Sequence, residues 1–357
     1  MKAWRLDRLG GTLRLEDAPI PEPRPGGIVV RIEASALMSY LKAYVEGRLP
    51  IYSPPDGPFT PGGNAIGIVH AIDREVYHVK VGQRVVVSSH IVAGENAPEP
   101  AQFLLGITAS TAGKSLQADW RDGTLAEYAL VPKSCVTPVD ALDAFSAAEL
   151  SVLPRFAVPY GGLVRGRLAA GQTIVVTGAT GAYGSAAVLL SLALGAGRVV
   201  AAGRNRLALD TLAQLGGARL ATVALSGDVA ADAKALRSAA GSEGAHMAFD
   251  IVGGAQDPSA TLAALKSLRR GGRLVLMGSM AVPLPISYLD VMLNNLEILG
   301  QFMHPRDAFM RLVDLARAGL LDLRAIRARS FPLETLPEAM EAAATAGGLE
   351  CVVATPS

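Results

Sequence analysis

The sequence predicts an α/β protein in which a doubly wound parallel sheet is combined with a second, β-rich domain. From about residue 147 onward, apolar β-type runs alternate with helical stretches, which is typical of right-handed βαβ units. Before that point, short β-type runs are separated by clusters of proline and glycine, which is typical of turns between antiparallel strands. The length of 357 residues suits two domains of roughly 150 residues each.

The composition excludes several classes of protein. Lys and Arg number 33 and Asp and Glu 32, and a net charge of only +1 argues against a nucleic-acid partner. Two cysteines, Cys135 and Cys351, are too few for a disulfide framework or a cysteine-rich metal site. The N-terminus has no apolar signal core, and the longest apolar stretch, 186–196, is too short to span a bilayer. We therefore expect a soluble protein of the cytoplasm without a membrane partner.

Each element is predicted from its local pattern. In the first part, we expect strands at 28–32, 65–72, 84–88 and 126–131 and one helix at 38–46. In the second part, we expect strands at 173–177, 198–202, 218–224, 247–252, 273–278 and 297–302, with helices at 183–194 and 206–215. In the tail, we expect a helix at 307–318, a strand at 326–331, a helix at 336–346 and a strand at 351–353.

The tail is expected to return to the β-rich domain. The predicted division is then 1–150 with 301–357 for the β-rich domain and 151–300 for the parallel sheet. The alternative is that the tail extends the parallel sheet.

A glycine-rich turn carries the strongest chemical signal. The strand at 173–177 runs into a turn with glycines at three-residue spacing, and a helical run follows. Glycines allow a tight turn and a close approach of the backbone to a pyrophosphate, and the helix N-terminus offers free N–H groups to the phosphates. The predicted dinucleotide-binding residues are Gly178, Ala179, Thr180, Gly181, Ala182, Tyr183 and Gly184. The alternative is a purely structural glycine turn.

The end of the second strand of this unit predicts NADP as the cofactor. An NAD site usually places an acidic residue there for the ribose 2′-hydroxyl. Here Gly203 stands at that position and is followed by Arg204, Asn205 and Arg206. The missing carboxylate removes a repulsion against a 2′-phosphate, and an arginine can bind that phosphate with a charged fork. The alternative is that both arginines are solvated surface charges.

The chain resembles the medium-chain dehydrogenase/reductase superfamily, and within it the zinc-free quinone oxidoreductase branch. The resemblance rests on the glycine turn and on the segments PGGNAIG (61–67), GTLAEYALVP (123–132) and GGRLV (271–275). It covers nearly the whole chain. It implies a GroES-like catalytic domain split around a Rossmann domain, with the active site in the cleft between them.

The resemblance also implies where zinc members of the family hold their catalytic metal. Those positions align with Met38, Gly63 and Pro154, none of which can bind zinc. Asn64 replaces the glutamate of the same loop. The region of the four-cysteine structural zinc lobe, 88–117, has no cysteine and a single histidine, His90. We therefore expect no metal site.

Without a metal, another group must take up negative charge. Tyr40 aligns with the hydroxyl residue that relays protons in zinc members, and a tyrosine can donate a proton or hydrogen bond to a substrate oxygen. Tyr40 is the predicted catalytic residue, and Tyr44, one turn later, competes for the role. The alternative for Tyr40 is an aromatic residue of the core or rim.

Three further segments carry over from the resemblance. Asp250, Ile251 and Val252 end the fourth strand and are expected near a ribose of the cofactor, and Gly278, Ser279 and Met280 end the fifth, near the nicotinamide. Each could instead be an ordinary turn. The segment 294–302 resembles the one that pairs across a dimer axis in the family, so we expect a homodimer. A buried core strand is the alternative.

Together these features predict an NADPH-dependent oxidoreductase that delivers hydride to a quinone or an α,β-unsaturated carbonyl, a small-molecule substrate, without a metal. The first alternative is a metal-free alcohol dehydrogenase or carbonyl reductase. The second is an NADPH-binding sensor without turnover, because the sequence offers no obvious catalytic histidine or cysteine.

Overall fold

The β-rich part forms one large mixed sheet with two smaller sheets beside it. The structure is a computed structural model that describes residues 1–356. The strands of the N-terminal region are β1 (Lys2–Leu6), β2 (Leu13–Asp17), β3 (Gly27–Ala36), β4 (Ala65–Ile72), β5 (Arg84–Val87), β6 (His90–Val92), β7 (Gln102–Leu104), β8 (Thr108–Ala109), β9 (Tyr128–Pro132) and β10 (Val136–Pro138). The helices are α1 (Leu41–Val45), α2 (Lys114–Asp119), α3 (Ala147–Leu150) and α4 (Leu153–Arg165).

The parallel sheet follows α4. Its strands are β11 (Thr173–Thr177), β12 (Arg198–Gly203), β13 (Leu220–Ala224), β14 (Ala245–Asp250), β15 (Leu268–Leu276) and β16 (Glu297–Gly300). Its helices are α5 (Ala182–Ala193), α6 (Arg206–Gly216), α7 (Val229–Ala240), α8 (Ser259–Lys266) and α9 (Tyr288–Leu293). The strand order is β13-β12-β11-β14-β15-β16, with every neighbouring pair parallel. The order reverses between β11 and β14, which is where this fold binds dinucleotides.

Alternation along the central strands explains why both faces of this sheet are covered. Ile174 and Val176 of β11 pack in one buried cluster, and Val175 packs in another. Val199 and Val200 of β12 divide between the same two clusters. Because successive side chains point to opposite faces, an unbroken apolar run needs helices on both sides. The prediction of a doubly wound sheet is confirmed.

The tail returns to the β-rich part. It contains α10 (Ala308–Arg317), β17 (Arg327–Pro332), α11 (Leu336–Thr345) and β18 (Glu350–Thr355). β18 pairs antiparallel with β3, placing Val353 opposite Ala36, and β17 pairs with β18. The large sheet therefore runs β10-β5-β4-β3-β18-β17, with β9 also on β3.

Several predicted elements have other bounds in the structure; β3 continues to Ala36, and β15 begins at Leu268 and ends at Leu276. The helix expected from residue 38 begins only at Leu41, because the Leu37 N–H donates to the Val352 carbonyl at 2.9 Å and extends the sheet contact. β14 ends at Asp250 and β16 at Gly300, each two residues earlier than expected. No helix within residues 1–356 is long and apolar enough to cross a membrane.

Candidate functional site

A cleft lies where the β-rich part meets the start of α5. One wall is the segment that connects β3 to α1, and the opposite wall comes from the first residues of α4 and α5. The residues that line the cleft are Ala36, Leu37, Met38, Ser39, Tyr40, Asn64, Pro154, Arg155, Ala182 and Tyr183. The predicted catalytic tyrosine and part of the predicted glycine turn thus share one cavity.

The glycine turn has the geometry that a dinucleotide requires. Gly178 has φ +68°, a left-handed conformation that favours glycine. A Cβ on Gly184 would lie 1.9 Å from the Gly178 carbonyl oxygen, so no other residue fits at that position. α5 begins at Ala182, and its N-cap, Gly181, provides no side-chain cap. The first N–H groups of the helix are thus available to a pyrophosphate, and these residues fit a nicotinamide dinucleotide.

The carboxyl ends of the central strands meet at this turn. A Cβ on Gly178 would lie 3.2 Å from the Ile251 carbonyl oxygen, and one on Gly278 would lie 2.2 Å from the Val252 carbonyl oxygen. Ser279, which follows Gly278, is exposed, whereas Met280 is half-buried. The structure therefore brings the predicted segments at 178, 251–252 and 278–280 to one edge of the sheet.

The carboxylate of Asp250 faces inward. Its Oδ1 accepts hydrogen bonds from the hydroxyls of Thr177, at 2.5 Å, and Thr261, at 3.1 Å. Burial raises the pKa of Asp250, and the two hydroxyl donors act against that rise. The side chain therefore joins the end of β14 to β11 and α8. A bound cofactor would meet the backbone of this segment before it met the carboxylate.

The predicted NADP-selective residues lie together at the end of β12. A Cβ on Gly203 would lie 2.9 Å from the Thr180 Cγ2, so an acidic side chain would require Thr180 to shift. Arg204 and Arg206 are exposed, and Asn205 caps α6 by accepting a hydrogen bond from the Ala208 N–H at 3.1 Å. Arg204 forms no ion pair with a carboxylate of residues 1–356, and its guanidinium is free to reach a phosphate.

Tyr40 is the N-cap residue of α1, and its half-buried side chain lines the cleft. Its ring centroid lies 5.6 Å from that of Tyr52. Burial raises the pKa of Tyr40 well above its usual value, and the neighbouring Tyr183 and Tyr52 raise it further. The hydroxyl is therefore protonated at neutral pH, and it lies close to the Tyr52 hydroxyl in a side chain that lines the cleft.

Tyr44, the competing candidate, is part of the core. It is fully buried, and its hydroxyl donates a 2.6 Å hydrogen bond to the Ile107 carbonyl. Burial raises the pKa of Tyr44, so this phenol holds its proton against a backbone oxygen. The geometry favours Tyr40 as the residue that can face a substrate.

The residues at the zinc-aligned positions do not fit a metal. A Cβ on Gly63 would lie 2.5 Å from the Ser89 Cβ and 2.9 Å from the Leu105 carbonyl oxygen, so a histidine has no room there. Pro154 has no donor atom, and the Asn64 Oδ1 accepts from the Ser89 N–H at 2.8 Å. No cluster of three His, Cys, Asp or Glu side chains suited to a metal occurs in residues 1–356.

Sequence reasoning missed Arg155. This residue follows the aligned zinc-ligand position directly and lines the same cleft. It is buried, and its Nη1 atom has no hydrogen-bond partner. In the sequence, only the position of Arg155 next to an expected metal-ligand position could have indicated a role. Its burial without a hydrogen-bond partner depends on the tertiary structure.

The tail also contacts the glycine turn. The Ser185 hydroxyl of α5 donates to the Gly348 carbonyl at 2.7 Å, and a Cβ on Gly348 would lie 2.6 Å from the Thr180 carbonyl oxygen. The loop between α11 and β18 therefore packs against the predicted phosphate-binding turn. The β-rich part therefore contacts the parallel-sheet part at this turn as well as at the cleft.

Comparison with known proteins agrees with this geometry. Residues 24–141 match the alcohol dehydrogenase GroES-like domain family, and residues 182–318 match the zinc-binding dehydrogenase family. An alcohol dehydrogenase of Moraxella sp. (strain TAE123) is 31% identical over 330 residues, which is 89% of each chain. A sorbitol dehydrogenase of Bacillus subtilis is 25% identical over 336 residues, 93% of this chain and 90% of its own.

Solved structures share the same fold. Alcohol dehydrogenase TADH from Thermus sp. ATN1 superposes with a TM-score of 0.81 over the whole of both chains at 22% identity. A zinc-binding dehydrogenase from Sinorhizobium meliloti, bound to NADP, superposes with a TM-score of 0.80 over 99% of both chains at 22% identity. The chain therefore belongs to the medium-chain dehydrogenase/reductase superfamily, with a GroES-like domain and a Rossmann-type parallel sheet.

Proposed function

We propose that this protein is an NADPH-dependent oxidoreductase of the zinc-free quinone oxidoreductase branch, which reduces a quinone or an α,β-unsaturated carbonyl without a metal. The observation that carries the proposal is the composition of the cleft. It is lined by a protonated tyrosine, by a buried arginine, and by Met38 and Pro154 from two of the aligned metal positions. The third aligned position is Gly63, which precedes the lining residue Asn64. The superfamily itself is one of dehydrogenases, to which the relatives in the comparison belong.

NADP is the proposed cofactor. A nicotinamide supplies a hydride to, or accepts one from, a carbon of the substrate when it is bound. The first turn of α5 would hold the pyrophosphate, and Arg204 and Arg206 would hold the 2′-phosphate. Support comes from the close approach of Thr180 to Gly203, where an acid would otherwise stand, and from the structural neighbour that binds NADP.

The proposed substrate class follows from charge. Reduction of an isolated carbonyl places a full negative charge on one oxygen, which a metal would otherwise stabilise. Reduction of a conjugated system spreads that charge into an enolate or hydroquinone. Hydrogen-bond donors such as the Tyr40 hydroxyl can stabilise such a charge. The cleft therefore suits the conjugated acceptor better than the simple alcohol.

A metal-free alcohol dehydrogenase or carbonyl reductase is the second candidate. It is favoured by one observation, the 31% identity to an alcohol dehydrogenase over 89% of both chains. That enzyme class would need the Tyr40 hydroxyl to exchange a proton with an alkoxide. Tyr40 lines the cleft, so both candidate functions would use the same residue at the same site. They differ only in the substrate.

Steady-state kinetics on matched pairs separates the two candidates. Metal-stripped protein is assayed with NADPH and an enone, a quinone and the corresponding saturated ketone, and with NADP⁺ and the saturated alcohol. The proposal predicts that kcat/KM for the enone or quinone exceeds that for the saturated pair. A far higher kcat/KM for the alcohol with NADP⁺ would contradict it and favour the second candidate.

We also propose a homodimer formed through α9 and β16. β16 is an edge strand, and Ile298 on it is 38% exposed. The neighbouring exposed apolar side chains are Tyr288, Leu289, Met292, Leu293 and Phe302. An edge strand beside an apolar patch of this kind requires a partner or a cover.

The proposed domain division is 1–150 with 301–357 and 151–300. It is supported by the pairing of β18 with β3. A cytoplasmic location is proposed because both cysteines, Cys135 and Cys351, are buried free thiols.

A further inference from the structure

Arg155 is a charged residue of the cleft that lacks a counter-charge. It lies in the first turn of α4, and only 9% of its surface is exposed. Its Nη1 atom is buried without a hydrogen-bond partner, and Arg155 forms no ion pair with a carboxylate of residues 1–356. Its polar neighbours are the Cys351 thiol, a weak acceptor, and the Tyr183 phenol.

Such an arrangement is costly in the free protein. The free-energy cost of removing a guanidinium from water is offset only when an opposite charge and hydrogen-bond acceptors replace the water. A neutral thiol and a neutral phenol do not provide that charge. A negatively charged ligand in the cleft would provide it, and Arg155 has an N–H group available for that ligand.

The position of Arg155 indicates which ligand oxygen it meets. It follows Pro154 in the chain, and both line the cavity together with Met38. By the resemblance to zinc members of the superfamily, Met38 and Pro154 stand at two of the expected metal-ligand positions. Arg155 therefore lines the same cavity as two of the positions at which zinc members would hold the metal that stabilises the charge on a carbonyl oxygen.

We propose that Arg155 is the charge-stabilising residue of the cleft, with its guanidinium donating hydrogen bonds to the negatively charged oxygen that forms on the substrate carbonyl. This inference rests on the proposed function, since that oxygen becomes an anion only during reduction. It adds to that function a fixed positive charge in place of the metal.

An enone is reduced in two steps. Hydride adds to the β-carbon, the π electrons of the C=C bond move, and the carbonyl oxygen becomes an enolate that Arg155 stabilises. A proton from the Tyr40 hydroxyl or from water then reaches the α-carbon, and the product is the saturated ketone. NADPH is oxidised to NADP⁺, and a phenolate left at Tyr40 regains its proton from water.

Arg155→Met, Arg155→Gln and Arg155→Lys test this role, with Arg165→Met as the matched control. Arg165 lies at the exposed end of the same helix, away from the cleft. Each purified variant is measured for kcat and kcat/KM with an enone, for NADPH affinity by fluorescence, and for its thermal unfolding midpoint. Arg155→Lys keeps the charge and remains informative if the neutral variants fail to fold.

The expected loss is about 10²–10³-fold in kcat/KM for Arg155→Met and Arg155→Gln, with a smaller loss for Arg155→Lys. NADPH affinity is expected to stay within about twofold of the wild-type value, and Arg165→Met to behave as wild type. The unfolding midpoint of Arg155→Met is expected to be unchanged or higher, because an unpaired buried charge is removed.

A second measurement does not depend on turnover. Sodium formate, at constant ionic strength, is expected to raise the unfolding midpoint of the wild type but not that of Arg155→Met, and neutral formamide to raise neither. If the wild type reduces no quinone or enone, the proposed function fails while the formate experiment still decides whether Arg155 binds an anion.

Three results would overturn the inference. The first is a kcat/KM of Arg155→Met within twofold of wild type in an active enzyme. The second is a loss of NADPH affinity that accounts for the whole loss of activity, which would assign Arg155 to a cofactor phosphate. The third is equal stabilisation of wild type and Arg155→Met by formate.

Discussion

Arg204→Ala is expected to weaken NADPH binding and to leave NADH binding nearly unchanged. In the structure, Arg204 is exposed and follows Gly203, whose Cβ position is crowded by the Thr180 side chain. The pKa of Asp257 is lowered mainly by hydrogen bonds from Ser259 and, to a smaller extent, by the positive charge of Arg204. Asp257 is therefore the nearby counter-charge of Arg204. No close ion pair must break before Arg204 can bind a 2′-phosphate.

The magnitude follows from the kind of contact. A charge-assisted hydrogen bond contributes about 1.5–3 kcal/mol, which corresponds to roughly ten- to hundred-fold in Kd. The exposed position of Arg204 favours the lower end of that range, because solvent screens the charge. We therefore expect about a tenfold rise in the Kd of NADPH, and a smaller effect at high salt.

Fluorescence titration of both cofactors provides the assay. Arg270→Ala is the matched control, because Arg270 is equally exposed but lies near the amino end of β15, at the opposite edge of the sheet. The reasoning is refuted if Arg204→Ala changes the Kd of NADPH by less than twofold, or if it weakens NADH to the same extent. Equal Kd values for both cofactors in the wild type would also contradict the assignment.

Further measurements test the other parts of the account. Elemental analysis is expected to find no stoichiometric zinc, and about one zinc per chain together with loss of activity to chelators would contradict this. Tyr40→Phe is expected to lower kcat/KM for the enone by about 10²-fold or more. Tyr44→Phe should lower the unfolding midpoint and leave kcat largely unchanged. An unchanged rate in Tyr40→Phe would show that Tyr40 is not the proton donor. Light scattering is expected to show a dimer that Leu293→Glu converts to a monomer, with Leu320→Glu, an equally exposed site elsewhere, as control. Burial lowers the pKa of His304 to about 4 in the folded protein, whereas the usual value, expected in the unfolded chain, is about 6.5. The unfolded chain therefore binds a proton first as the pH falls, and the free energy of unfolding should decrease by about 2 kcal/mol between pH 7 and pH 5. The decrease should be smaller in His304→Gln, and urea midpoints that do not depend on pH would refute this.

The sequence predicted those parts of the molecule that depend on local rules. The glycine turn could be located because close backbone approaches at Gly178 and Gly184 leave no alternative residue. The central strands of the parallel sheet, such as β11 and β12, were predicted because they are apolar on both faces. The helix start at Leu41 was missed, since it depends on a hydrogen bond to a residue more than 300 positions away.

Residues of the candidate site could be predicted only where the residue type and its position in the chain both pointed to a role. Tyr40 was predicted at the cleft from its place in the chain, whereas the buried hydroxyl of Tyr44 is evident only from its contact with Ile107. The inward orientation of Asp250 depends on Thr177 and Thr261, which are distant in sequence or on another element. Arg155 was missed because an unpartnered buried charge is defined by everything that surrounds it.

The most direct test of the central claim is the position at which hydride enters the substrate. Metal-free protein is incubated with an enone and NADPH that carries deuterium at the transferred position, and the product is examined by NMR. The account predicts a saturated ketone with deuterium on the former β-carbon. An allylic alcohol with deuterium on the carbinol carbon would contradict it, because the enzyme would then place the full charge on an isolated oxygen.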